Sequence, residues 1–124
     1  MNPEKTRSHL RSVAMRVHNM ESMLAFYSEA FDIHFREVIT GPFKSQFGEL
    51  DGWTLKLVPI RDGVDFEGFP IHQLGFSVSN VENVISMAIQ HGGRQEGEVI
   101  VDDEGKHAAV RDPDGNTIEL YSHA

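Results

Sequence analysis

The chain has 124 residues, the size of one domain, and its 11 Lys+Arg against 19 Asp+Glu leave a net charge of −8. That balance argues against a general nucleic-acid binder and against an anionic membrane surface as partner. There is no cysteine, which excludes disulfides, thiolate zinc sites, Fe–S clusters and thiol catalysis, so any transition metal would need its ligands from the seven histidines and the carboxylates.

The opening MNPEKTRSHLRS is polar and lacks the apolar stretch of a secretory signal, so residues 1–9 read as a flexible arm. No run approaches the ~20 apolar residues of a membrane helix, and the expected location is the cytoplasm. A first module is expected over residues 10–60. Within it, RSVAMRV alternates as a strand does, and the following segment turns helical in period. Met20, Met23, Leu24, Tyr27 and Phe31 form one apolar stripe, Asn19 is a good N-cap, and Glu21 suits the first turn. Strands are then expected over 33–40, 43–50 and 53–60, separated by Gly41-Pro42 and Asp51-Gly52. Residues 61–70 (RDGVDFEGFP) read as a linker.

The second module, 71–122, repeats the order. HQLGFSVSNVENVISMAIQHG has the grammar of RSVAMRVHNMESMLAFYSEAF. A shift of 61 residues aligns Val17 with Val78, Asn19 with Asn80 and Glu21 with Glu82. The second helix carries the stripe Val81, Val84, Ile85 and Ala88, with Ser79 and Glu82 as a capping box and Gly92-Gly93 as its stop. Strands are expected over 95–101, 106–111 and 116–122, with turns at Asp103-Glu104-Gly105 and Asp112-Pro113-Asp114-Gly115. The fold class is therefore α+β, as βαβββ twice. The acidic excess falls wholly in the second half: residues 63–124 hold three basic and eleven acidic side chains, against eight of each in residues 1–62.

The repeat, AMRVHNMESMLAFYSEAF near the start and RDPDGNTIELYS near the end together resemble the vicinal oxygen chelate superfamily of glyoxalases, bleomycin-resistance proteins and extradiol dioxygenases. The resemblance spans about residues 10–122. It implies two modules curled into mixed sheets around a cavity, and chains paired as homodimers. It also implies four positions that hold a divalent metal in the family's enzymes: one on the first strand of each module, usually His, and one on the last, usually Glu. In this chain they fall on Ser12, Gln73, Lys56 and Glu119. Only Glu119 has the usual identity. Ser12 and Gln73 offer neutral oxygens, and the Lys56 ammonium would repel a metal. His72 adjoins Gln73 but should face the other way unless a bulge after Pro70 shifts the register.

Alternation places Ser12, Ala14, Arg16, Thr54, Lys56, Val58, Gln73, Gly75, Ser77, Thr117, Glu119 and Tyr121 on the cavity side and the intervening apolar residues against the helices. Lys56 either neutralises Glu119 as a buried pair or joins Arg16 in a cationic patch for a small anion. Arg16 has the alternative of pairing with Glu37. Aromatic walls are available from Tyr27, Phe47, Trp53, Phe66, Phe69 and Tyr121, with Trp53 beside Gly52 the one singled out. The expected function is binding of a small organic molecule, with no cofactor, in a cavity that includes Ser12, Arg16, Trp53, Lys56, Gln73, Ser77, Glu119 and Tyr121. The alternatives are a lyase, isomerase or dioxygenase with a divalent metal on Glu119, His72 and His107, and a metal-free enzyme using Lys56 with Glu119 as acid and base.

Overall fold

The structure, a computed structural model, describes residues 9–60 and 72–123. The expected arm and linker lie outside the described residues, apart from His9, as do Phe66, Phe69 and Pro70. The chain runs β1 (Ser12–Val17), α1 (Met20–Phe31), β2 (Phe35–Thr40), β3 (Phe43–Leu50), β4 (Trp53–Pro59), β5 (Gln73–Ser77), α2 (Val81–Gln90), β6 (Arg94–Asp102), β7 (Gly105–Arg111) and β8 (Thr117–His123). This is the expected βαβββ order, twice. Each module makes one four-stranded mixed sheet, ordered β1-β4-β3-β2 and β5-β8-β7-β6. The first and last strands of each module pair in parallel, and the rest pair antiparallel. Among the described residues neither sheet closes, so β1 and β5 are edge strands.

The repeat extends to register. Ser12 stands beside Thr54 and Lys56 beside Ala14; likewise Gln73 stands beside Thr117 and Glu119 beside Gly75. One face of each sheet packs on the helices. Met15, Val17, Leu55, Leu57, Ile118 and Leu120 are buried there, with Val13, Leu74, Phe76 and Val78 partly buried against them. The opposite faces carry the polar set and are open, as strand alternation predicts.

Both helices start on an asparagine. Asn19 Oδ1 accepts from the Ser22 N–H at 3.1 Å, and Asn80 Oδ1 accepts from the Asn83 N–H at 2.9 Å. The second cap is therefore Asn80, not Ser79. Asn80 directly precedes the first helical residue, and Glu82 is engaged elsewhere, accepting from Lys106 Nζ at 2.7 Å. The α2 stripe is buried as expected. In α1 the buried residues are Met23, Phe26, Tyr27 and Ala30, while Leu24 is half-buried. Phe26 takes the place expected for Leu24 because α1 packs against the second module as well as its own sheet. β2 begins at Phe35 rather than residue 33, because Asp32 ends α1 in the left-handed region (φ 53) and the Ile33 N–H still donates to Tyr27 O at 3.4 Å.

Helix α1 joins the modules. Tyr27 Oη donates to Asp112 Oδ2 at 2.7 Å in a buried contact. Phe31 stacks on Phe76 of β5, ring centroids 4.2 Å apart. The His18 N–H, just before α1, donates to Asp114 Oδ2 at 2.9 Å. Phe26 also abuts Gly93, where an added Cβ would lie 2.5 Å from the Phe26 ring and 2.5 Å from Arg111 O. No helix among the described residues is long and apolar enough to cross a membrane.

Candidate functional site

The positions singled out in the sequence fall into three places. On the open face of the second sheet, Glu119 is held on both sides. Gln73 Nε2 donates to its Oε1 at 2.5 Å, and Tyr121 Oη donates to its Oε2. That hydrogen bond raises the Tyr121 phenol above its ordinary value, because it favours the neutral donor. The His107 ring lies alongside Tyr121, centroids 6.4 Å apart, and His107 Nε2 is 3.6 Å from Asp102 Oδ2. Cross-strand register explains the grouping: His107 pairs with Tyr121, and Tyr121 pairs with Ser77.

On the open face of the first sheet, Lys56 does not meet Glu119. Its Nζ stands 5.0 Å from the centroid of the Phe47 ring, and Arg36 Cζ stands 5.7 Å from the same centroid. Register again places them, since Ala14, Lys56, Phe47 and Arg36 lie in one row across β1, β4, β3 and β2. Arg16 lies on the same face, beside Val58. In the next row, Thr54 Oγ1 donates to Glu49 Oε1 at 2.9 Å. Two cations on one aromatic ring is a favourable but crowded arrangement, since they repel each other. An anion placed between them would relieve that repulsion. Arg36 and Phe47 enter this group through the cross-strand register, which the sequence does not reveal.

The third place is a cavity of about 500 Å³ at the seam between the modules, lined by Val13, Leu50, Asp51, Trp53, Thr54, Leu55 and residues 73–77. Of the eight expected cavity residues it takes Trp53, Gln73 and Ser77. Ser12, Arg16, Lys56, Glu119 and Tyr121 lie outside its lining. Trp53 is set by the hairpin before it: Asp51 (φ 51) and Gly52 (φ 80) are both left-handed, as a two-residue type I′ turn requires.

The alternative metal set is not assembled. Among the described residues no three His, Asp or Glu side chains are grouped to hold a metal ion. The β5–β8 register runs without interruption from Gln73 to Ser77, and the position of a bulge just after Pro70 falls outside the described residues. The His72 N–H donates to Asn116 Oδ1 at 2.8 Å. Within the chain Lys56 and Glu119 do not pair either: Glu119 accepts from Gln73 and Tyr121, and Lys56 lies on the Phe47 ring.

These two open-faced βαβββ sheets, with their first and last strands side by side, define the glyoxalase-type fold. The glyoxalase/bleomycin resistance protein/dioxygenase superfamily matches residues 9–120, and the chain belongs to it. Solved structures share the fold. A glyoxalase-related enzyme from Fulvimarina pelagi is similar at 18% identity, covering 94% of this chain and 89% of that one with a TM-score of 0.72. A glyoxylase/bleomycin resistance protein/dioxygenase domain from Frankia sp. EAN1pec is also 18% identical, over 96% and 100% of the two chains, with a TM-score of 0.72. A glyoxalase family protein from Enterococcus faecalis is 25% identical, over 94% and 97%, with a TM-score of 0.67. No curated protein matches the chain.

Proposed function

We propose that this chain is a metal-independent member of its superfamily that binds a small organic anion on the open face of the first sheet. The observation that carries the reading is Lys56 and Arg36 on the Phe47 ring, with Arg16 on the same face. Guanidinium and ammonium groups suit a carboxylate or phosphate, and the ring gives an aromatic body a surface to lie on. The donor set supports the absence of a transition metal. Of the four positions, Ser12 and Gln73 are neutral and Lys56 is cationic. Glu119 already accepts hydrogen bonds on both oxygens. These residues do not fit the group that the superfamily's enzymes hold, and no reaction is assigned. The exposed open faces of both sheets support a homodimer in which each protomer covers its partner; the proposed compartment is the cytoplasm.

The test is calorimetric titration of benzoate and phenyl phosphate into the wild-type protein and Lys56→Met. Loss of one charge-assisted contact should weaken binding by about tenfold or more. Equal affinities would overturn the assignment of the site.

A further inference from the structure

We infer that the seam cavity is a second binding site, for a neutral, planar, largely apolar molecule that carries an amide- or lactam-like hydrogen-bonding edge. It is separate from the cationic face and does not depend on it.

Four observations converge on this ligand class. The cavity's volume, about 500 Å³, lies within the ordinary range for small-molecule sites. Its lining is mostly apolar, with Val13, Leu55, Leu74 and Phe76 as floor, and Asp51 is its one charged residue. That excludes the anions proposed for the other face.

The third observation is the edge of β5. The Val78 N–H donates to Tyr121 O at 2.7 Å. In a parallel ladder alternate residues turn their backbone groups to the same side, so Leu74, Phe76 and Val78 bond to β8. Gln73, Gly75 and Ser77 then present their N–H and C=O groups to the free edge, and all three line the cavity. Among the described residues, no other strand pairs with β5. Among the described residues the cavity therefore has a wall of unpaired donors and acceptors spaced along an extended backbone. An amide edge, with one donor beside one acceptor, matches it.

The fourth is Gly75 itself. Its φ is not in the left-handed region, and an added Cβ would meet only Tyr121 Cε2, at 3.4 Å. Neither backbone conformation nor a severe clash requires glycine here. Glycine inside a strand commonly marks close approach by a ligand or another backbone, and a branched side chain here would stand beside the free edge on the Tyr121 side and narrow the approach to it. Trp53, 39% exposed at the cavity wall, supplies a flat surface for stacking.

The chain has a single tryptophan, so its fluorescence reports on this cavity directly. The probes are 2-quinolone, 1-methyl-2-quinolone and quinoline-2-carboxylate, titrated by Trp53 fluorescence and by calorimetry. The expected result is saturable 2-quinolone binding that perturbs Trp53 emission. N-methylation, which removes the donor, should weaken it about tenfold, the worth of one hydrogen bond. The carboxylate should bind the seam no better than the N-methyl compound. Gly75→Val and Trp53→Ala should each lose 2-quinolone binding by calorimetry while keeping a cooperative thermal transition. If Gly75→Val fails to fold, Trp53→Ala decides alone. No saturable 2-quinolone binding, equal binding of the N-methyl compound, or wild-type affinity in a folded Gly75→Val or Trp53→Ala would overturn the inference.

Discussion

Tyr27 belongs to the first module, yet its hydroxyl is spent on Asp112 in the second, 85 positions along the chain. Asp112 is 3% exposed and also accepts from the backbone N–H groups of Asp114 and Asn116 and from Asn116 Nδ2. Tyr27→Phe therefore removes one donor from a carboxylate that keeps several others. The cost should be about 1–2 kcal/mol, read as a fall in melting temperature of roughly 3–8 °C. The same residue sets an alkaline limit. Burial, reinforced by the Asp112 charge and hydrogen bond, holds the Tyr27 phenol well above its ordinary value near 10. The folded state keeps the proton where the unfolded chain has lost it. The contribution is full below pH ~10 and is lost as pH rises beyond it. Denaturant midpoints across this range should fall in the wild type and flatten in Tyr27→Phe. At Gly93 the constraint is steric. With Phe26 and Arg111 O both 2.5 Å from an added Cβ, Gly93→Ala should cost about 1–3 kcal/mol by urea titration. Neither contact is legible in the sequence, which marks Tyr27 as apolar stripe and Gly93 as helix stop. Both are made across the module seam, where no local pattern reaches.

At the scale of elements, local pattern carries most of the structure. Alternation marks the strands, Gly41-Pro42 and Asp51-Gly52 mark hairpins, and the apolar stripes mark both helices. The second cap departs from its expectation because Ser79 and Asn80 are both good N-caps. What separates them is where the first helical turn begins, and the repeat holds that information by aligning Asn80 with Asn19. The prediction is a pair: Asn80→Ala should cost about 1 kcal/mol in thermal unfolding, while Ser79→Ala should be near neutral. The reverse order would restore the capping box. The seam cavity is illegible for a different reason. Helix α1 is 12 residues, about 18 Å, and α2 is 10 residues, about 15 Å. Alternation tells which face of a strand is apolar but not how far a helix covers it. The helices cannot cap every apolar position on their sheets, and Val13, Leu74 and Trp53 line a cavity, with Phe76 at its wall even though Phe31 of α1 stacks on it.

At the scale of the molecule, the four positions implied by the superfamily form two equivalent pairs, one per module. Each pair sits on neighbouring parallel strands of an open sheet face. Their equivalence supports the register, but a metal ion needs ligands from both faces at once. Lys56 and Glu119 make no contact within the chain, and each is engaged by its own sheet. In the homodimer proposed above, the two faces would meet between copies. The variant Ser12→His/Lys56→Glu/Gln73→His would give two His and two carboxylates, a set that suits nickel or zinc. It removes the repelling ammonium and also frees Glu119 from the Gln73 amide. The expected result is one divalent ion per chain by metal analysis, with affinity that falls on dilution as the dimer dissociates. Sedimentation should show metal shifting the population toward dimer, because an ion that binds only the paired state stabilises pairing by mass action. Tight binding by a monomer would place the two faces together within one chain, against the separation of Lys56 from Glu119. No binding at all would mean that Ser12, Lys56, Gln73 and Glu119 are not the corresponding positions. In that event Lys56 would lose its comparison with a metal ligand, while its place with Arg36 on the Phe47 ring, which carries the anion site, would stand.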